Sequence, residues 1–479
     1  MEYVVLSIIL IVALFFTVII IRALAFKPYD MISVDESEVS IDGEVAVENL
    51  RSLVRCKTIS YNDSSLEDNE EFEKLTSLLP KLYPNVYSQL EVITFKSRGI
   101  LLKWKGESSE KASVMMSHYD VVPVNEEAWT VPPFEGIIKD GSLWGRGTCD
   151  TKITLNGAMT AADTLAKQGF IPKNDIYFAF SGGEEVNGNF ANETVDYFLE
   201  KNITLDLVVD EGGAVVENVF PGVKVPCGLI GIAEKGMIDL KYTTKSNGGH
   251  ASAPKPHTPV GILSKACVRV EKKPFKMHLT KPVREMFDTL GRHSSFLYKL
   301  IFANLWCFGW VIDLLGKLSG GEINALVRTT VAFTQMKGSS APNVIPPEPS
   351  MVSNIRLNPA ETVETVLKEI EKKVNDDKIA LEILHSENPS RISRTDVHGY
   401  NKVANAIVST FKGAIVSPYL MVQCSDSRSY GRISDRVYRF SASDFTKEER
   451  SAIHGNDERI RLDVIKRAVE FYYRLLKNC

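Results

Sequence analysis

Residues 3–21 carry no charge and are almost wholly apolar, between Glu2 and Arg22. That length suffices for one helix to cross a bilayer. Residues 25–45 then turn mainly acidic and polar and read as a linker. Helical periodicity covers 47–82. Apolar positions at Val92, Ile93 and Phe95, then at Leu101, Leu102 and Trp104, predict a strand hairpin. Three short runs follow that are apolar at nearly every position: Ala112-Ser113-Val114-Met115-Met116, Asp175-Ile176-Tyr177-Phe178-Ala179-Phe180 and Leu205-Asp206-Leu207-Val208-Val209. Such runs suit strands buried on both faces. Between the first two lie a tight hairpin with an Asp-Gly turn over 137–144 and a helical pattern over 152–168 that ends at Gly169. Strands alternating with helices predict an α/β sheet.

From about residue 233 the pattern changes. Glu234-Lys235-Gly236-Met237-Ile238-Asp239-Leu240-Lys241-Tyr242-Thr243 alternates, as a half-exposed strand does. Further strands are expected over 326–333 and 350–357. Two helical stretches lie between, and one of them, 296–315, is strongly apolar. Asn304, Gly309 and Asp313 interrupt it, so core packing is the favoured reading over a membrane contact or a greasy mouth for acyl chains. After Pro359 the helix–strand alternation returns, with helices over 363–376, 403–411 and 462–476. The expected organisation is a transmembrane anchor (3–24), a linker (25–45), a catalytic domain in two parts (46–232 and 359–479), and an inserted α+β domain (233–358).

The chain has 479 residues, 44% hydrophobic and 24% charged, which is globular usage with ample material for a core. A net charge of −4 and the lack of a basic stripe argue against nucleic-acid binding. Seven scattered cysteines show no paired metal spacing, so free thiols are expected and any metal would take His and carboxylate ligands. The amino-terminal apolar segment lacks a basic leader, which favours a retained single-pass anchor over a cleaved signal. Arg22 and Lys27 after the span point to a cytoplasmic body, but the two charges are a thin margin and the side is left open.

Each buried run exits into chemistry. The first delivers Ser117-His118-Tyr119-Asp120, the second Ser181-Gly182-Gly183-Glu184-Glu185, and the third Asp210-Glu211-Gly212-Gly213. Side chains two apart on a strand point the same way, so His118 and Asp120 can act together, as a metal ligand and its orienting partner. Taken alone, such a pair is more often a plain hydrogen bond. Asp150, after Gly145-Arg146-Gly147-Thr148-Cys149, sits where a helix cap would sit. Taken together, His118, Asp150, Glu184/Glu185, Asp210 and His454 are too many for one tetrahedral metal with an open site. They suit two metals sharing a carboxylate, zinc or else cobalt or manganese. Adjacent Glu184 and Glu185 need different tasks: one can bind metal while the other serves as general base.

The chain resembles the aminoacylase/carboxypeptidase S family of dinuclear zinc metallopeptidases, within which carboxypeptidase S and N-fatty-acyl-amino-acid synthase/hydrolase are most similar to it. The likeness rests on eight short motifs in order: Ser117 to Val124, Trp144 to Lys152, Ser181 to Glu185, Asp210 to Gly213, Glu234 to Gly236, Gly248 to Ser252, Asn343 to Pro346 and His454 to Glu458. It implies a mixed-sheet catalytic domain with an inserted lid or dimerisation domain. It implies that Asp150 bridges two Zn2+ ions, that His118 and Asp210 bind one, and that Glu185 and His454 bind the other. Glu184 would be the base, Asp120 the partner of His118, and His250 the oxyanion-stabilising group reaching across a closed lid or a homodimer. Arg356 would grip the substrate carboxylate, with Asn343 in the same pocket. One departure is Gln423-Cys424-Ser425-Asp426-Ser427-Arg428, where a Gly-x-Thr-Asp-like run is expected; it bears on substrate specificity. The expected reaction is hydrolysis of an amide next to a free carboxylate, in a peptide or an N-acyl amino acid. Its alternatives are reversible N-fatty-acyl amino acid synthesis and an inactive binding protein on the same fold.

Overall fold

The three runs with acidic exits lie side by side. In the computed structural model, which describes residues 1–29, 32–220 and 222–479, Ser108–His118 sits between Asn174–Ser181 and Leu205–Gly213, parallel to both. These strands are the middle of a nine-stranded mixed sheet. The antiparallel hairpin Leu90–Thr94 and Gly99–Trp104 extends it on one side. Val437–Phe440, Cys227–Glu234 and Ile415–Met421 extend it on the other.

Both faces of the sheet are covered, which is why its central strands read as continuous apolar runs. Met115, Phe178 and Val209 face a core with Leu155, Met159, Ile465 and Phe471 of the helices Lys152–Lys167 and Leu462–Lys477. Val114, Met116, Tyr177 and Ala179 face the opposite way, onto Val195 and Phe198 of the helix Phe190–Glu200. Strand periodicity thus sorts neighbouring side chains into two cores. The 137–144 hairpin forms as expected, with Asp140 and Gly141 at φ of 50° and 72°. All seven cysteines are free.

A second sheet of four antiparallel strands has the order Thr330–Lys337, Ser350–Leu357, Gly236–Thr244, Ile379–Glu387. Gly236–Thr244 alternates buried and half-buried positions along its whole length, as its sequence pattern requires. The helices Pro259–Lys272 and Val363–Val374 pack on one face through Leu263, Val270, Val366 and Ile370. Ile379–Glu387 and the helix before it therefore belong to this sheet, although they lie beyond the 358 limit expected for the insert. The helix Lys281–Arg292 instead packs against the main sheet, with Phe287 and Leu290 beside Leu420.

The amino-terminal helix Glu2–Ala25 is long and apolar enough to cross a membrane, and nearly all of it is exposed. Its second half docks, where Asn304 donates to Ile19 O and Arg22 donates to Ala303 O. The apolar stretch expected as core packing is two helices, Phe296–Phe302 and Leu305–Ser319, bent by 106°, and it does place Phe302, Ala303 and Ile312 in a core. Trp306 and Trp310 on the second helix are exposed.

Candidate active site

The carboxyl ends of the three parallel strands bring acids and imidazoles to one sheet edge, the usual position of a site in such folds. His118 ends its strand and is buried. Its Nδ1 lies 3.0 Å from Asp120 O and 3.4 Å from Asp120 Oδ1. Its Nε2 faces Asp150 Oδ1 at 3.0 Å and Glu211 Oε1 at 3.2 Å. Asp120 is fully buried and does more than hold the ring. Its carboxylate accepts from Ser60 Oγ and from the backbone amides of Glu184 and Glu185. One side chain therefore sets both the imidazole and the loop after the neighbouring strand.

Asp150 does not cap the following helix: Thr151 holds the cap position, and no side-chain capping bond forms there. The Asp150 carboxylate is free to face two imidazoles. Oδ1 lies 3.0 Å from His118 Nε2, and Oδ2 lies 3.0 Å from His454 Nε2. His454 Nε2 is also 3.2 Å from Glu185 Oε2. Two overlapping groups have the spacing to hold an ion, His118/Asp150/Glu185 and His118/Glu184/Glu211.

Asp210, expected as a ligand, is not in either group among the described residues. Its two oxygens accept from the amides of Glu211 and Ser427. Adjacent residues on a strand point to opposite sides, and the side facing His118 is that of Glu211. The side chains brought within reach of one another are therefore His118, Asp150, Glu185, Glu211 and His454, with Glu184 beside them.

A second residue without an expected role is Glu458, fully buried. It accepts from Arg146 Nη1 and from the amides of Gly147, Cys149 and Asp150. Arg146 also donates to Gly455 O. This cluster staples the loop that carries Asp150 to the turn that carries His454. The signal in the sequence was its position, four residues after His454.

His250 and Asn343 do not reach the cluster. Both are exposed, on a small two-stranded arm where His250 pairs with Val344 and Ala251 donates to Asn343 O. Arg356 lies closer to the main body: its Nη1 donates to Cys424 Sγ at 3.3 Å, linking the second sheet to the departing 423–428 loop. Arg428 in that loop is ion-paired with Glu387. Asp426 keeps a buried Oδ2 with no hydrogen-bond partner among the described residues.

The electrostatics fit a bound cation. Burial raises Glu211 to about 7 and pushes Glu184 well above the usual carboxylate range. Hydrogen bonds to Asp150 and Glu185 raise His454 to about 10. Burial works against charge on His118, yet Glu211, Asp120 and Asp150 hold it well above its ordinary value. Acids that retain protons beside imidazoles that take them up mark a pocket short of positive charge. Divalent ions would supply it, and the His and carboxylate donors suit zinc.

Imidazoles and carboxylates converging at a sheet edge, with a further glutamate beside them, define a metal-dependent hydrolase. Comparison with known proteins narrows that class. The chain belongs to peptidase family M20/M25/M40, whose model matches residues 114–478. It is 32% identical to the probable carboxypeptidase S-like 2 of Dictyostelium discoideum over 93% of this chain and 87% of that protein. It is 34% identical to the N-fatty-acyl-amino acid synthase/hydrolase PM20D1 of Xenopus tropicalis over 90% of this chain and 85% of that protein. Its fold is similar to that of human carnosine dipeptidase 1, with a TM-score of 0.64 at 15% identity over 91% of this chain and 96% of the other. The M20 metallo-carboxypeptidase Sso-CP2 of Sulfolobus solfataricus gives 0.65 at 17% identity, over 90% and 98%. The protein is a metal-dependent amide hydrolase.

Proposed function

We propose that the chain is a dinuclear zinc hydrolase that cleaves the amide next to a free carboxylate, in a C-terminal peptide bond or an N-acyl amino acid. The observation that carries this is Asp150, whose two oxygens face different imidazoles at 3.0 Å each, as a carboxylate shared by two metals would. His118 and Glu211 would help to hold one metal, and Glu185 and His454 the other. Zinc there would supply Lewis-acid polarisation of the scissile carbonyl and an acidified water. Glu184 is the group placed to hold a proton on its carboxylate, and it would pass that proton to the leaving nitrogen as general acid. Asp120 fixes the His118 ring and the Glu184 and Glu185 amides throughout.

Arg356 holds the substrate carboxylate with its forked guanidinium. The second sheet acts as a lid, and its arm brings His250 and Asn343 to the substrate by closure or from a second copy in a homodimer. The Glu2–Ala25 helix is a retained membrane anchor. Relatives named as synthase/hydrolases of N-fatty-acyl amino acids support the N-acyl reading and, run in reverse, amide synthesis from a fatty acid and an amino acid.

A hydrolysis panel tests the substrate class. N-acyl amino acids and C-terminal dipeptides should be cleaved, and their carboxamide counterparts should not. Arg356→Lys should raise KM for the free acids by roughly ten-fold or more, the loss of one bidentate charge-assisted pair. Equal cleavage of acids and amides would contradict the carboxylate reading.

A further inference from the structure

The helix Leu305–Ser319 exposes Trp306, Trp310, Leu314 and Leu318, at 62%, 64%, 46% and 76% of their surfaces. Their spacing of four draws one apolar stripe along the helix. Soluble proteins seldom leave large apolar side chains contiguous and bare. Asp313, which flanks the stripe, is paired with Lys317 and Arg328 and adds no unbalanced charge.

The position of this helix is fixed by the amino-terminal one. Asn304, fully buried, donates to Ile19 O and accepts from Arg22 Nε. Arg22 also donates to Ala303 O. The rings of Phe15 and Trp306 meet edge-on, 5.8 Å apart. Phe15 lies seven residues before Arg22, the first charge after the apolar run, or about 10 Å along the helix axis. Trp306 therefore begins its stripe level with the apolar run, on its hydrocarbon side of Arg22. At the exit below, Arg292 stacks on Phe26 and Tyr29, 4.4 and 3.9 Å from their ring centres. Aromatic and basic side chains of this kind favour the headgroup level.

We infer that Phe296–Phe302 and Leu305–Ser319 form a second membrane-contacting element, which lays the Trp306–Trp310 stripe into the same bilayer as the anchor. The inference rests on the anchor reading above. The occupant is lipid rather than a second copy because the stripe continues the bare apolar surface of Glu2–Ala25, most of which no other part of the chain covers. A protein partner on the stripe alone would leave that helix in water. The bent pair then orients the body against the membrane, where one helix on a linker would let it swing. Amphipathic helices with exposed Trp and Leu bind the boundary of headgroups and acyl chains in this way.

The test uses the full chain reconstituted into phosphatidylcholine vesicles, with and without bromine at mid-chain. Trp104 and Trp129 are buried and Trp144 is half-buried, so the quenching that the double variant loses is the part that reports on the stripe. Tryptophan emission should fall with brominated lipid. The double variant Trp306→Phe/Trp310→Phe should still float with the vesicles, keep its hydrolytic activity and lose most of that quenching. A chain that floats but is not quenched, or a double variant quenched like the parent, overturns the inference and leaves the anchor standing. Failure to float overturns the anchor and this element with it. Quenching absent together with a dimer mass in detergent that the double variant halves would assign the stripe to a second copy and overturn the lipid reading.

Discussion

Asp210 and Glu211 share a strand end, yet only Glu211 faces His118. The sequence contains both acids and lacks the information to choose between them. Choosing needs the phase of the strand, which is read from alternation of apolar and polar positions. Leu207 to Asp210 are all buried, so alternation fades just where the phase has to be read. Where such a mark was unnecessary, as for His118 and Asp120 two apart, the sequence sufficed. The expected outcome is that Glu211→Gln lowers bound zinc from about two per chain toward one. Asp210→Asn should keep both sites and weaken metal affinity by about 10–100-fold, because Asp210 acts through the Glu211 amide. Metal analysis during chelator titration checks both, and the reverse order would restore Asp210 as the ligand.

At the scale of elements, the Asp150 loop and the His454 turn come from chain segments some three hundred residues apart and meet through Glu458. Short hairpins, the three buried strands and the last helix were legible because each carries its own local pattern. Contacts of this kind were not, because Glu458 looks like any acid in a loop until Arg146 and three amides are seen around it. The strand Ile379–Glu387 was equally hidden: it is an edge strand whose exposure follows no clean period. The apolar stretch from 296 is divided: Phe302, Ala303 and Ile312 join a core, and Trp306 and Trp310 are exposed. Hydropathy alone does not say which apolar side chains of a helix are covered. Glu458→Gln leaves the buried Arg146 guanidinium without its counter-charge, so unfolding free energy should fall by about 3–5 kcal/mol. Denaturant unfolding measures this, and a change within about 0.5 kcal/mol would show that the staple contributes little.

At the scale of the whole molecule, Lys235 stands between the main-sheet strand Cys227–Glu234 and the second-sheet strand Gly236–Thr244. Its buried Nζ donates to Ala325 O and Arg328 O, so one ammonium ties the crossing between the sheets to a third segment. Burial, helped by Arg356, lowers it from 10.5 to about 7. Between those values the unfolded chain holds more protons than the folded one, so the contribution of this lysine to stability rises with pH across that window. Below it both states are protonated and the desolvation cost is constant. Comparing the chain with Lys235→Met isolates the effect. Their difference in unfolding free energy should move in favour of lysine between pH 7 and pH 9, by at most about 1.4 kcal/mol per pH unit. A difference that stays flat, or moves the other way, would refute the shift.

The central claim is that Glu184 moves the proton at a two-metal site, and one paired measurement reaches it most directly. Zinc content and N-acyl amino acid hydrolysis are measured on the full chain and on Glu184→Gln. The account predicts about two zinc ions per chain in both, with the turnover of the variant lower by a factor of about 10²–10⁴. One zinc or none in the parent, or a variant that hydrolyses as fast as the parent, would contradict it.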